Sequence, residues 1–155
     1  VVENELKVVT IARMFTGEYS HSIDAKGRVI VPVKFRETLG ENFTVTVGFD
    51  GCLCMYSNDE WEAFVNKLSN LPEARKEGRQ ILRFFLARAV TCEVDKQGRI
   101  LIPIKLREHA DLKKDVVFVG VLSKVEIWDK ERWDANDISD MDEMAERLSE
   151  LGIDL

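Results

Sequence analysis

The sequence predicts a mixed fold in which β-structure dominates and helices lie at the periphery, built from two copies of one unit. Three observations predict it. A fourteen-residue block, DAKGRVIVPVKFRE at 24–37, returns as DKQGRILIPIKLRE at 95–108. Short runs of β-branched residues are punctuated by Gly, Pro and Asp-Gly, the pattern of strands joined by tight turns. Each run is followed by a brief apolar spacing of helical period. In the repeated block seven of fourteen positions are identical, and five more exchange one apolar residue for another. The likeness continues with a one-residue shift, so that Gly48 answers Gly120, Tyr56 answers Trp128 and Trp61 answers Trp133. Self-similarity at a fixed spacing is the mark of a duplicated architecture.

The elements follow in order. Residues 1–13 form an N-terminal extension ahead of the first unit, which covers 14–71. Tyr19, His21 and Ile23 alternate on one face of a strand that runs into Asp24-Ala25-Lys26-Gly27, where Asp can accept from the turn backbone and Gly can take positive φ. Val29–Val31 reads as a buried strand ended by Pro32, which cannot donate to a central ladder. A short helix follows, because the fixed φ of proline suits a first helical turn. Phe43–Phe49 and Cys52–Tyr56 flank Asp50-Gly51, a strong hairpin signal. Ser57 and Glu60 form a capping box for a helix whose Trp61, Phe64, Val65 and Leu68 share a face. Pro72 opens a second helix through Ala74, Ile81, Phe84 and Phe85, so that 72–84 links the two units. The second unit, 85–135, repeats the plan with Ile100–Ile102, Pro103, Val116–Val121 and Val125–Trp128. Ser139 with Asp142 opens a last, acidic helix over 136–155, striped by Met141, Met144, Leu148 and Leu151.

Composition narrows the function. With 155 residues, 45% hydrophobic and 32% charged, and only nine Gly and three Pro, disorder and collagen are excluded. The longest apolar stretch, VVFVGVL at 116–122, is far short of the roughly 20 residues a membrane helix requires. No basic segment with an apolar run opens the chain, so no secretory signal is expected. Three Cys cannot all pair, and Cys52 and Cys54 are too close for an ordinary bridge, which suits a reducing cytoplasm. The net charge of −6 argues at first sight against a polyanionic partner. The acidity is concentrated, however. Residues 129–155 hold ten Asp and Glu against Lys130, Arg132 and Arg147, which leaves the rest of the chain at +1.

Each unit sets an arginine directly after its turn glycine, so Arg28 and Arg99 occupy the same point of two related hairpins. Units packed about a pseudo-twofold axis would bring both to one face. The planar fork of arginine donates bidentately to guanine O6 and N7 or to phosphate, and a two-stranded ribbon fits the major groove. Lys26, Lys34 and Arg36, with Lys96, Lys105 and Arg107, add positive charge nearby. Taken singly, Asp-x-x-Gly-Arg is only a turn whose Arg pairs with its Asp; its duplication points to double-stranded DNA.

From MFTGEYSHSIDAKGRVIVP at Met14 onward, with its two correctly spaced Asp-x-x-Gly-Arg blocks, the chain resembles the MraZ family of bacterial transcription factors. That family is related to the AbrB/SpoVT swapped-hairpin DNA-binding domains. The resemblance spans residues 14–155; Val1–Arg13 precede the family's usual start. It implies a double-split β-barrel of two tandem AbrB/SpoVT-like pseudo-repeats, and a ring-like higher homo-oligomer in the cytoplasm and nucleoid. It further implies binding to short tandem G-rich repeats ahead of the division and cell-wall operon. Carried over by position, Arg28 and Arg99 would read DNA with Lys26, Gln97 and Lys96 beside them, while Asp24, Gly27, Asp95 and Gly98 shape the loops.

Other readings fare worse. Cys52, Cys54, Cys92, His21 and His109 are zinc-type residues, but no Cys-x-x-Cys or close His pair occurs, and no metal or other cofactor is expected. His21 reads as a strand-face residue and His109 as a helix-surface residue. No catalytic constellation and no Gly-rich phosphate loop is visible, so neither an enzyme nor a small-molecule substrate is expected. An antitoxin-like protein-interaction module, using the acidic end to hold a partner, is the competing reading. Antitoxin tails are typically disordered and follow a single repeat, whereas this tail has helical periodicity and this chain has two repeats.

Overall fold

The structure, a computed structural model, describes residues 14–154. The N-terminal extension expected at 1–13 lies outside the described residues. In the first unit the chain forms β1 (Glu18–Ser22), β2 (Arg28–Ile30), α1 (Val33–Leu39), β3 (Asn42–Val47), β4 (Leu53–Tyr56) and α2 (Asn58–Leu68). Helix α3 (Lys76–Leu86) leads to the second unit, with β5 (Val90–Glu93), β6 (Arg99–Leu101), α4 (Ile104–His109), β7 (Asp115–Gly120), β8 (Val125–Asp129) and α5 (Lys130–Asn136). Helix α6 (Met141–Glu150) follows.

Six strands form an antiparallel sheet in the order β1-β7-β8-β4-β3-β5, and β2 pairs with β6 as a separate ribbon. The two units have exchanged strands. β1 of the first unit completes the β7–β8 hairpin of the second, and β5 of the second completes the β3–β4 hairpin of the first. Interchanging the units reverses the strand order onto itself, so the duplication read from the sequence is a pseudo-twofold arrangement in space. The sheet ends on β1 and β5.

The four inner strands are buried on both faces, which explains their nearly continuous apolar sequences. One face contributes Phe43, Val45, Met55, Phe118 and Ile127 to a core shared with Val29 and Ile100 of the ribbon and with Phe35 and Leu106 of α1 and α4. The opposite face carries Cys52, Cys54, Tyr56, Val117, Val119 and Trp128, covered by Trp61, Phe64 and Trp133 from α2 and α5. The repeat is visible even here. Tyr56 meets Trp61 at a centroid distance of 5.6 Å and 53°, and their counterparts Trp128 and Trp133 meet at 5.7 Å and 56°. Such aromatic pairs contribute about 0.5–1.5 kcal/mol beyond the area they bury.

The local signals explain most elements. Asp50 and Gly51 both have positive φ, 65° and 82°, as the tight turn between β3 and β4 requires. The Ser57 hydroxyl accepts from the Glu60 N–H at 3.3 Å, capping α2. Pro32 and Pro103 sit at the caps of α1 and α4, one residue before each helix.

Four expectations need correction. Helix α3 begins at Lys76, not Pro72, because Pro72 lies in a turn closed by the Arg75 N–H donating to its carbonyl at 3.1 Å. Helix α6 is capped by Asp140, not Ser139; its carboxylate accepts from the N–H groups of Asp142 and Glu143. The runs at 29–31 and 100–102 are not buried throughout. A two-stranded ribbon has one face on the core, so Val29 and Ile100 are buried while Ile30 and Leu101 are exposed. His109 is half-buried rather than on the helix surface, edge-on to Phe84 at 6.0 Å.

Candidate nucleic-acid interface

The two Asp-x-x-Gly-Arg segments form loops that are equivalent bond for bond. Asp24 accepts at Oδ1 from the N–H groups of Lys26 and Arg28, both at 2.9 Å, and at Oδ2 from Arg28 Nε at 2.8 Å. Asp95 accepts at Oδ1 from the N–H groups of Gln97 and Arg99 at 2.9 Å, and at Oδ2 from Arg99 Nε at 2.9 Å. In each loop the glycine N–H donates to the aspartate carbonyl at 3.0 Å. Aspartate is required for this geometry, since one carboxylate must satisfy two backbone donors and orient a guanidinium. The ion pair uses Nε, at the stem of the arginine fork.

The register of the ribbon sets the two arginines in relation. Val29 pairs with Ile100, Arg28 with Leu101 and Ile30 with Arg99. Arg28 and Arg99 are therefore diagonal neighbours, with Cα atoms about 7–8 Å apart, on the face opposite buried Val29 and Ile100. Exposed Ile30 and Leu101 share that face, and Val33 and Ile104 are exposed just beyond it. Lys26, Lys96 and Gln97 are exposed on the loops, and Lys34 and Lys105 are exposed on α1 and α4.

Each loop is braced by the other unit. The Arg36 guanidinium lies over Gly98, and that of Arg107 lies over Gly27. Arg36 Nε donates to the Val31 carbonyl at 2.8 Å, and Arg107 Nε to the Ile102 carbonyl at 2.9 Å. Gly27 and Gly98 have φ of 88° and 78°. A Cβ at Gly27 would also stand 2.8 Å from Arg107 Nε. Glycine is thus fixed twice, by backbone conformation and by the crossing arginine. In the sequence Arg36 and Arg107 read only as added charge; their crossing follows from the exchange of strands, which local pattern does not encode.

The zinc-type residues do not gather into one cluster. Cys92, His21 and His109 do not join Cys52 and Cys54. Among the described residues, the three metal-type donors that converge are Cys52, Cys54 and Glu126, a residue the sequence reading passed over.

With this geometry in view, comparison with known proteins is decisive. A family model described as MraZ protein matches residues 14–84 and again 85–148. The chain belongs to the MraZ family. It is 64% identical over 140 residues to a transcriptional regulator MraZ of Lachnoclostridium phytofermentans, covering 90% of this chain and 99% of that one. Similar proteins from Thermoanaerobacter sp. and Acetivibrio thermocellus, each also named transcriptional regulator MraZ, are 56% and 52% identical over 144 and 143 residues, covering 90% of this chain and all of theirs. No helix of the described residues in this MraZ-family chain is long and apolar enough to cross a membrane.

The bond network also sets an acid titration. The Arg28 N–H above all holds the Asp24 carboxyl down at about 2, against an ordinary 3.8; desolvation opposes it as the next largest effect, and the Arg28 side chain and the Lys26 N–H add to the lowering. Asp95 is lowered by the matching donors, the Arg99 N–H first. Because the folded value is depressed, the loop's stabilisation is fully present above the ordinary value and fades as pH falls from about 4 to about 2. Carboxyl NMR should give an Asp24 midpoint near 2, with the Lys26 and Arg28 amide signals shifting in step. A midpoint near 3.8 would contradict the network.

Proposed function

We propose that this chain is a sequence-specific DNA-binding transcriptional regulator that reads double-stranded promoter DNA through Arg28 and Arg99. The observation that carries the reading is the diagonal placement of the two arginines on one face of the β2·β6 ribbon, each oriented by its own aspartate. The aspartate contact occupies Nε, which leaves the terminal amino groups for bidentate donation to guanine O6 and N7. A side chain already held in place loses less freedom when it binds. Lys26, Lys96 and Gln97 flank the arginines where a phosphate backbone would run, and Asp24, Gly27, Asp95 and Gly98 hold the loops in shape. The relatives' shared name, transcriptional regulator, supports the same function.

The architecture is read as a double-split barrel of two AbrB/SpoVT-like repeats, which the exchange of β1 and β5 supports. By family resemblance the operator is a set of short tandem G-rich repeats ahead of the division and cell-wall gene cluster, and the site of action is the cytoplasm and nucleoid. No cofactor enters this reading. A tail in which α6 is formed, rather than extended, favours the regulator over a toxin-holding module.

Replacing Arg28 or Arg99 by Ala should cost about 1–3 kcal/mol of specific binding per lost base contact. The thermal midpoint should barely move, since solvent screens exposed ion pairs and leaves them little net stabilisation. Gel shifts beside thermal melts check this, and unchanged specific binding by both variants defeats the assignment. Gln97 stands where the first loop has Lys26. If it lies along the phosphates, Gln97→Lys should steepen the slope of log K against log salt by about 0.9 per added contact, with sequence preference kept.

A chain with so small a cationic excess outside its tail gains affinity by presenting several ribbons to tandem repeats. A ring-like homo-oligomer does this, and the exposed Val33 and Ile104 offer apolar surface for subunit contact. Light scattering should find a large assembly; a monomer that binds a single repeat tightly would rule this out.

A further inference from the structure

A second cluster lies away from the ribbon, on the opposite face of the sheet. Cys52, extended just before β4, and Cys54 within it stand two residues apart, so both side chains project from one face. The register of β4 against β8 places Glu126 directly opposite Cys54. The two sulfurs and a Glu126 carboxylate oxygen all lie within 4.8 Å of one another. Gly48 reports the convergence independently. Its backbone, φ −117° and ψ 177°, is open to any residue, yet a Cβ there would stand 2.7 Å from Cys54 Sγ and 2.8 Å from Cys52 Sγ. The two sulfurs occupy the space that a side chain at 48 would fill.

We propose that Cys52, Cys54 and Glu126 form a binding site for a thiophilic divalent cation, zinc before others. In tetrahedral zinc coordination, with Zn–S near 2.3 Å, the sulfurs sit about 3.8 Å apart, so a contraction of at most about 1 Å closes the cluster on the ion. Two thiolates select zinc over magnesium or calcium, which take oxygen donors. Cys54 and Glu126 also line a cleft of about 430 Å³ between Gly48 and Phe85, which leaves the fourth position open to water or an exogenous ligand. The Trp128 indole N–H donates to Glu126 Oε1 at 3.0 Å and orients the carboxylate, as partners of metal ligands do.

Binding releases the two thiol protons to solvent and replaces the Cys52 thiol's bond to the Phe49 carbonyl, 3.2 Å long. Because the thiols come from the first unit and the carboxylate from the second, the ion would clip the β4·β8 seam. This site is independent of the DNA reading.

The test uses the full chain, reduced and stripped by chelation, with Co²⁺ as the spectroscopic probe and Zn²⁺ as its competitor. One Co²⁺ per chain should bind with intense near-ultraviolet thiolate-to-cobalt absorption that Zn²⁺ bleaches, and saturating Zn²⁺ should raise the melting midpoint. Glu126→Gln should weaken Co²⁺ binding by at least about tenfold. Cys54→Ser should abolish the absorption, and Cys92→Ser should retain it. Absence of the absorption in the wild-type chain overturns the proposal, as does equal affinity in Glu126→Gln or loss of the band in Cys92→Ser. If Cys54→Ser fails to fold, the wild-type chain and Glu126→Gln still decide the matter.

Discussion

The exchange of strands between the two units is the constraint on which the rest of the molecule depends. Neither hairpin, β3–β4 or β7–β8, completes its outer edge from its own half. The crossing chains are thereby forced past each other as β2 and β6, and their pairing about Val29 and Ile100 joins the ribbon to the core. The same crossing carries Arg36 to Gly98 and Arg107 to Gly27. A local Asp–Arg turn, commonplace alone, becomes one of two rigid and symmetric fixtures because each is held from the opposite unit.

Under the proposed function, this arrangement reconciles an acidic chain with a polyanionic ligand. The excess of Asp and Glu is collected at the C-terminal end, on α5, α6 and their flanks, while the ribbon face carries arginine beside aliphatic side chains. Field strength at any one face is set mainly by the charges within about a Debye length, roughly 8–10 Å, so carboxylates farther off than this weigh little against nearby cations in physiological salt. None of the residues of α6 is buried, so its carboxylates remain solvated.

Much of this was legible in the sequence, and the reason is that local chemistry carried it. The duplicated block, the Asp50-Gly51 turn, the Ser57 cap and the loops at 24–28 and 95–99 are each specified by residues a few positions apart. The helix starts differ from the pattern at Pro72 and Ser139 because backbone hydrogen bonds decide them: a turn spends Pro72 before α3 begins, and Asp140 caps α6 in place of its neighbour Ser139. What stayed hidden involves register across great separations. Nothing near Glu126 announces that it faces Cys54, and nothing near Arg36 announces Gly98. The half-exposure of the ribbon was equally invisible, because Val, Ile and Leu at 29–31 and 100–102 look the same whether one face or two is covered.

The exchanged topology also bears on how the chain comes into being on the ribosome. Glu18 pairs with Val119, so β1 waits for a partner about 100 residues downstream, which at about 5–20 residues per second is on the order of 5–20 s of synthesis. During that interval the nascent first unit displays an unpaired strand and an uncovered apolar face. Another nascent chain on the same messenger would offer the same complementary edge. The short, polar-faced β1, with Glu18, Ser20 and Ser22 exposed on alternate positions, is a poor template for such mispairing.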